Sequence, residues 1–134
     1  MRNTLCLLLA SLVIAPAAIA QAKPVTTASG LVYESLKDGT GESPKATETV
    51  KVNYRGTFLD GKEFDSSYKL GKAIEFPLNR VIPCWTEGVQ RMKPGGKAKL
   101  TCPPGIAYGA NGAGAVIPPN ATLNFEIELI SVSR

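Results

Sequence analysis

Apolar and polar side chains alternate along several short stretches of the chain, which is the period of a half-buried β-strand. Val52 and Tyr54 alternate with polar neighbours, and residues 123–129 place an apolar side chain at every odd position. Residues 31–36 and 97–102 are further strand-like stretches bounded by glycine and proline. The pattern therefore predicts a sheet with one buried face.

Turn residues separate these strands. Residues 60–61 (DG) lie between runs 57–59 and 63–64, which is a strong signal for a β-hairpin. Residues 74–78 predict a weaker strand, and Pro77 within it indicates an edge strand or a bulge because proline cannot donate to the ladder. We therefore expect the strands to pair antiparallel.

One helix is predicted after these strands. Pro83 suits a first helical turn, and Trp85, Val89 and Met92 recur on one face at helical spacing. Residues 93–96 (KPGG) end the pattern. The elements add up to an α+β domain, in which one short helix covers the apolar face of an antiparallel sheet.

A long connection precedes the last predicted strand. Residues 106–120 contain three glycines and two adjacent prolines, and no periodic pattern. Connections of this length inside a compact domain are usually functional. We therefore expect part of a binding site to come from this loop.

The first twenty residues differ in composition from the rest. A positive start with Arg2 precedes the apolar run 5–14, which only Ser11 interrupts, and residues 18–20 (AIA) match the small-x-small site of signal peptidase. We therefore predict a secretory signal peptide over residues 1–20. A membrane anchor is the alternative, but the run is shorter than the ~20 apolar residues that a span needs.

The cleaved chain would begin at Gln21 outside the cytoplasm, with the periplasm as the expected location and full secretion as the alternative. Residues 21–29 are small and polar, and we expect a flexible segment without regular structure. Residues 30–134 have the length of one domain. We expect no membrane contact once the signal peptide has been removed.

Composition narrows the chemistry of the site. The formal net charge of the 134 residues is +4 and the lysines are scattered, so nothing indicates nucleic-acid binding. The chain has no histidine, which excludes histidine-based triads and histidine-ligated metal sites. Cys84 and Cys102 would remain after cleavage. They are too few for a structural zinc site, whereas an exported location permits a disulfide.

Elimination leaves one candidate site. Ser66 and Ser67 have no histidine to activate them, and Asp65 has no evident carboxylate partner for glycosidase-type chemistry. Residues 109–114 (GANGAG) lack the lysine and following helix of a phosphate loop. What remains is a set of aromatic side chains that form either a pocket or simply the core: Tyr54, Phe58, Phe64, Phe76, Trp85, Tyr108 and Phe125. For Phe58 and Phe76 the core is the favoured interpretation.

Several blocks of the sequence together resemble the FKBP-type peptidyl-prolyl cis–trans isomerases. They occur in that family's order and with nearly its spacing, from about Leu31 to the C-terminus. The blocks are 52–58 (VNYRGTF), 60–67 (DGKEFDSS), 81–89 (VIPCWTEGV), 95–100 (GGKAKL), 107–109 (AYG) and 117–129 (IPPNATLNFEIEL). The leader and short arm resemble small exported bacterial members without a dimerisation domain, which implies a monomer.

The resemblance implies a curved antiparallel β-sheet wrapped over one short α-helix, with a pocket between them. It implies rotation about Xaa–Pro bonds during the folding of exported proteins, without a cofactor, a metal or a covalent step. Trp85 would be the pocket floor, and Tyr108 and the Ile82 N–H would hold the peptide. The implied catalytic residues are Tyr54, Phe64, Asp65, Ile82, Trp85, Tyr108 and Phe125. The implied substrate-binding residues are Ile74, Val81, Val116 and Ile117.

The sequence departs from the family pattern at three positions. Ile74 replaces an aromatic wall residue, Ala113 replaces a rim histidine and Cys84 replaces a glycine. The first two changes bear on substrate preference and on the affinity for macrolides, which the resemblance implies as inhibitors. In the family fold Cys84 would lie near Cys102, so the resemblance also implies a Cys84–Cys102 disulfide.

The resemblance also identifies the partners. They are unfolded or partly folded polypeptides that contain proline. A chaperone or peptide-binding module that holds such chains without turnover is the alternative function, and the same pocket predicts both.

Overall fold

Seven antiparallel strands form one sheet in the computed structural model, which describes residues 23–134. The predicted signal peptide lies outside the described residues. The strands are β1 (Val25–Thr26), β2 (Val32–Lys37), β3 (Thr49–Phe58), β4 (Glu63–Ser66), β5 (Ile74–Pro77), β6 (Lys97–Cys102) and β7 (Leu123–Ser133). Their order is β1-β2-β6-β7-β3-β4, and β5 also pairs with β3.

The long strands β3 and β7 form the centre of the sheet. They pair from Thr49 opposite Ser133 to Phe58 opposite Leu123. Along β7 the side chains at positions 123, 125, 127 and 129 are buried in the core, while their polar neighbours are not. The alternation predicted for this strand is confirmed.

The hairpin predicted at Asp60 and Gly61 joins β3 to β4. The Phe58 N–H donates to the Lys62 carbonyl at 2.9 Å, and the Gly61 N–H donates to the Phe58 carbonyl at 2.9 Å. Gly61 has φ = 89°, a conformation that favours glycine. The Asp60–Gly61 dipeptide therefore forms the predicted hairpin turn, in which glycine supplies the positive φ.

A one-turn helix, α1 (Ser67–Leu70), interrupts the outer edge of the sheet. The Tyr68 N–H donates to the Ser66 hydroxyl at 3.1 Å, and Gly71 ends the turn with φ = 73°. Because α1 lies between β4 and β5, these two strands pair with opposite halves of β3. Pro77 thus ends an edge strand, as predicted. The sequence did not predict α1, because four helical residues are too few to give a periodic pattern.

The predicted helix is α2 (Pro83–Val89), and it covers the apolar face of the sheet. Trp85 and Val89 are buried on the predicted face. A Cβ on Gly88 would lie 2.6 Å from Leu100 Cδ1, so the helix approaches β6 more closely than a larger residue would allow. The helix ends at Val89, and Met92 is buried in the turn that follows.

The segment before β2 requires a correction to the expectation for residues 21–29. Val25–Thr26 form a short strand that pairs with the start of β2. The Thr27 N–H donates to the Leu31 carbonyl at 2.8 Å, and Gly30 takes φ = 93° in the turn between the strands. Regular structure therefore begins before the predicted domain. No helix in residues 23–134 has the length and apolarity needed to cross a membrane.

Candidate active site

An apolar cavity of about 390 Å³ opens between the sheet and the N-terminal end of α2. The strands β3, β4, β5 and β7 contribute to its wall, and one residue comes from the long loop 106–120. Its lining residues are Tyr54, Phe64, Asp65, Ile74, Phe76, Arg80, Val81, Ile82, Trp85, Tyr108 and Phe125. The structure thus brings together all seven residues that the sequence marked as catalytic.

Trp85 lies at the bottom of this pocket with 6% of its surface exposed. The rings of Tyr54 and Phe125 meet it edge-on, with centroids at 5.0 and 5.2 Å, and the Phe76 ring lies at 5.4 Å. Edge-to-face contacts of this kind add to the free energy of simple burial. Three elements therefore hold the indole in one orientation. Its buried Nε1 has no hydrogen-bond partner within the described chain.

A polar corner interrupts the aromatic wall at Asp65. The Tyr54 hydroxyl donates to Asp65 Oδ2 at 2.5 Å, and the Ser66 N–H donates to Oδ1 at 2.8 Å. Burial and then this hydrogen bond raise the pKa of Tyr54 far above its usual value. Burial and the Asp65 charge also raise the pKa of Tyr108. Both hydroxyls therefore keep their protons at neutral pH and remain donors.

Ser67 fixes the strand that carries Tyr54. Its fully buried hydroxyl accepts from the Tyr54 N–H at 2.9 Å and donates to Asn53 Oδ1 at 2.9 Å. In the sequence this serine stands out only as a nucleophile that no histidine could activate. Its contacts instead tie the first residue of α1 to β3, which positions the polar corner from behind.

Phe64 forms the side wall through a close approach to β3. A Cβ on Gly56 would lie 2.6 Å from Phe64 Cζ, so only glycine leaves room for the ring. Phe64 also meets Phe125 edge-on, with centroids at 5.6 Å, and packs against Phe58 at 4.9 Å. Phe58 itself lies outside the cavity wall and packs against the core, as the sequence suggested.

Comparison with known proteins identifies the family. The family model described as FKBP-type peptidyl-prolyl cis-trans isomerase matches residues 40–130. The chain belongs to this family. It is 54% identical over 107 residues to FkpA of Escherichia coli K12, which covers 80% of this chain and 39% of that protein. It is 48% identical over 109 residues to Mip of Coxiella burnetii, covering 81% and 47% respectively.

Solved structures give the same result for the fold. The crystal structure of E. coli FkpA superposes with a TM-score of 0.81 at 50% identity, over 85% of this chain and 53% of that one. A Pseudomonas syringae isomerase gives 0.78 at 43% identity, over 86% and 84%. The predicted FKBP-like α+β fold is confirmed. The chain spans between 39% and 52% of the length of the curated relatives it matches.

Two residues of the FKBP pocket were not predicted. Phe76 was interpreted as core, but it lines the cavity beside Trp85. Its position on an edge strand, one residue before Pro77, was the signal that could have found it. Arg80 was not predicted because a single exposed arginine belongs to no periodic pattern or motif in the sequence. Arg80 and Asp65 are the two charged side chains of the cavity wall. Arg80 forms no salt bridge with any described residue.

The structure does not place Val116 and Ile117 in the pocket wall, which corrects the expected rim. Val116 is 57% exposed, and Ile117 is buried in the core. The loop folds back on itself, because the Ala113 N–H donates to the Ile117 carbonyl at 2.9 Å. A Cβ on Gly112 would lie 2.2 Å from that carbonyl oxygen. Tyr108 is therefore the residue through which this loop reaches the cavity.

The start of α2 has two further features that bear on the pocket. The Ile82 N–H donates to no acceptor among the described residues, while its carbonyl accepts from the Trp85 N–H at 2.9 Å. Next to the floor, the Sγ atoms of Cys84 and Cys102 are bonded, with Cα atoms 5.8 Å apart. The bond ties the first turn of α2 to the end of β6, where the resemblance placed it.

Proposed function

We propose that this protein is a peptidyl-prolyl cis–trans isomerase, which binds proline-containing segments of polypeptides and accelerates rotation about the Xaa–Pro bond. The observation that carries the proposal is the aromatic pocket itself. Its floor and walls are apolar, and two donors without a hydrogen-bond partner in the described chain, the Ile82 N–H and the Tyr108 hydroxyl, stand at its edge. A proline ring fits the apolar part, and the flanking peptide carbonyls fit the donors.

Desolvation supplies the chemistry that such a pocket can provide. Rotation about a peptide bond costs ~18–20 kcal/mol because the amide resonance is lost. The twisted amide has less charge separation than the planar one, so an apolar, water-poor pocket favours it relative to water. Only this difference between the two states accelerates the reaction. No nucleophile or proton transfer is required.

The side chains then take distinct roles. Trp85 supports the proline ring from below, while Phe64, Phe76, Phe125, Ile74 and Val81 exclude water around it. The Ile82 N–H and Tyr108 hold the peptide on either side of the bond. Asp65 acts through its charge, and the hydrogen bonds from Tyr54 and Ser66 keep its carboxylate facing the pocket.

The test is an isomerisation assay on short peptides that differ in the residue before proline. We expect catalysis by the wild-type protein and a loss of at least about tenfold in kcat/KM for Phe64→Ala, which corresponds to ~1.4 kcal/mol. Phe58→Ala removes a neighbouring ring of the same size outside the pocket wall and serves as the control. Loss of isomerisation in both variants to the same degree would contradict the assignment of the pocket.

The same variants separate turnover from chain holding. If Phe64→Ala lost isomerisation but still suppressed aggregation of an unfolded protein, the two activities would reside in different surfaces. If the wild-type protein suppressed aggregation without isomerising any peptide, the chaperone function would replace the isomerase function.

We further propose that the protein acts in the periplasm after export. The leader pattern at residues 1–20 and the Cys84–Cys102 disulfide support this location, because disulfides persist in oxidising compartments. Sequencing the N-terminus of the protein from a periplasmic fraction tests it, and we expect Gln21. Recovery of the uncleaved chain from the cytoplasm would contradict it.

We also propose that macrolides inhibit the enzyme from the same pocket and that the enzyme acts as a monomer. Competitive inhibition of the peptide assay, and its loss in Phe64→Ala, test the first point. Light scattering across a range of concentrations tests the second.

A further inference from the structure

A second cavity, of about 410 Å³, lies at the opposite end of α2 from the pocket. Its walls come from β2 and the loop after it, from the turn that follows α2, and from the start of β6. We call it the basic cleft. Its lining residues are Tyr33, Ser35, Lys37, Asp38, Gly39, Arg91, Met92, Lys93, Gly96 and Lys97.

The basic cleft concentrates the positive charge of the protein. Four cationic side chains and one carboxylate line it, which is a net charge of +3. The described chain as a whole has 14 cationic and 11 acidic residues, which is also +3. The rest of the described chain is therefore neutral on balance.

Three of these cations are available to a ligand. Lys37, Arg91 and Lys93 form no salt bridge with any residue in the range 23–134, whereas Lys97 lies 3.5 Å from Glu128. The single carboxylate, Asp38, accepts the Ser35 hydroxyl at 2.9 Å. The Tyr33 ring and Met92 add apolar surface between the charges. The cleft therefore suits a carboxylate on an aliphatic stem.

The walls of the cleft are held together before any ligand arrives. A Cβ on Gly39 would lie 2.3 Å from the Lys93 carbonyl oxygen, so the loop after β2 is in tight contact with the turn after α2. The Thr40 N–H donates to the Pro94 carbonyl at 3.0 Å, and the Gly96 N–H donates to the Lys93 carbonyl at 2.9 Å. Little ordering is then required on binding, which favours affinity.

A shallow groove runs along the exposed face of α2 from the aromatic pocket toward the basic cleft. The groove shares Val81 with the pocket and no lining residue with the cleft, and it extends past Thr86 and Glu87 to Gln90, the chain neighbour of Arg91. Arg91 lies six positions after Trp85, which is ~9 Å at the helical rise. An extended chain covers ~3.3 Å per residue, so about three to five residues span the distance.

We propose that the basic cleft binds an acidic segment of the same polypeptide whose proline occupies the pocket, an inference that rests on the proposed function. The groove along α2 carries the intervening residues. The cleft acts as a second contact that holds substrates with glutamate or aspartate about four residues from the proline. It affects KM and leaves the rotation step unchanged.

The experiment uses peptides that carry one proline and a Glu-Glu pair at two, four, six or eight residues on either side. A Lys37→Ala/Arg91→Ala/Lys93→Ala variant is compared with Lys45→Ala/Lys51→Ala/Lys62→Ala, which changes the same charge at exposed sites elsewhere. For the wild type we expect a KM about three- to tenfold lower at one preferred spacing, the size of a few exposed ion pairs. The cleft variant loses this gain, the control keeps it, and high salt removes it.

Binding of a proline-free, glutamate-rich peptide, measured by fluorescence anisotropy, tests the cleft independently of catalysis. Equal binding by the cleft variant and the control would overturn the inference. So would binding of inorganic phosphate, of RNA or of vesicles with anionic lipid that depends on the three cations while acidic-peptide binding does not. If no peptide is isomerised at all, the proposed function fails, whereas the anisotropy measurement still decides whether the cleft binds acidic chains.

Discussion

The two ends of α2 carry cavities of nearly equal volume and opposite chemistry. At the N-terminal end, aromatic rings from four strands surround Trp85, and only Asp65 and Arg80 bring charge to the wall. At the other end, the turn after the helix supplies cations to a cleft with little apolar surface. One short helix thus separates an aromatic pocket that excludes water from a cleft lined by exposed cations.

Replacing the pocket floor should have the largest effect. Trp85→Ala opens a cavity under the proline site, so we expect a loss of ~3–5 kcal/mol in the free energy of unfolding and the loss of measurable isomerisation. Val89→Ala, on the buried face of the same helix but in neither cavity, should cost about 2 kcal/mol and leave kcat/KM unchanged. Urea denaturation and the peptide assay provide both measurements. Comparable kcat/KM losses in the two variants would mean that the pocket is not distinct from the rest of the core.

Removing the disulfide should have the next largest effect and should act mainly at the pocket end of the helix. We expect Cys84→Ala/Cys102→Ala to lose about 2–4 kcal/mol in the free energy of unfolding, because the bond restricts the unfolded chain. Hydrogen exchange should quicken at the amides of residues 84–86 more than at those of residues 89–92. Reductant should destabilise the wild type and leave the variant unaffected, and two free thiols in the exported wild type would contradict the bond.

The hydrogen bond between Tyr54 and Asp65 should contribute a smaller amount. Tyr54→Phe leaves the ring against Trp85 and removes the donor, and we expect a loss of about 1.5 kcal/mol and a severalfold lower kcat/KM. Asp65→Asn in the Tyr54→Phe background should then change the free energy of unfolding little, since the hydrogen-bond donor is already absent. Additive losses in the double variant would show that the two residues act separately.

Stability at alkaline pH provides a matched test of the same tyrosine. The pKa of Tyr54 is raised in the folded state, so its contribution is complete below pH 10, the ordinary tyrosine value, and falls as pH rises toward the folded pKa. We expect the free energy of unfolding to decline less steeply above pH 10 in Tyr54→Phe than in the wild type. Tyr33 and Tyr108, whose pKa values are also raised, remain in both proteins and account for the residual slope.

The weakest expected effect concerns the one cation of the pocket. Arg80→Glu should lower kcat/KM about threefold for four-residue peptides with glutamate before proline and raise it slightly for lysine, as exposed charges contribute up to ~1 kcal/mol. Arg91→Glu makes the same change at the basic cleft, which such short peptides do not reach. It should leave these ratios unchanged.

Sequence reasoning located the pocket better than the cleft because the pocket residues carry local signals. Alternation in β3 and β7 places Tyr54 and Phe125 on the buried face, and helical spacing places Trp85 there. The cations of the cleft lie at positions 37, 91, 93 and 97, in segments that approach one another only when the sheet has formed. The lysines therefore looked scattered along the chain, although three elements bring part of them together.

The errors within the site have physical causes of the same kind. Val116 and Ile117 were expected at the rim from the family resemblance, but the hydrogen bond from the Ala113 N–H to the Ile117 carbonyl folds the loop back, which buries Ile117 and leaves Val116 exposed outside the cavity wall. Phe76 was assigned to the core because aromatic residues usually belong there. Whether an aromatic ring faces a cavity or packs against a neighbouring side chain depends on where its strand lies in the sheet. The alternation of apolar and polar residues along a strand does not give that position.

The interrupted edge of the sheet bears on how the protein resists aggregation with unfolded chains. An open strand edge invites other extended chains to add to it, which is a route to aggregation. Here β4 and β5 are each four residues long, α1 breaks the line between them and Pro77 closes it, while the opposite edge is the two-residue β1. The described part of the chain thus has no continuous strand edge on which the extended polypeptides proposed as its substrates could accumulate.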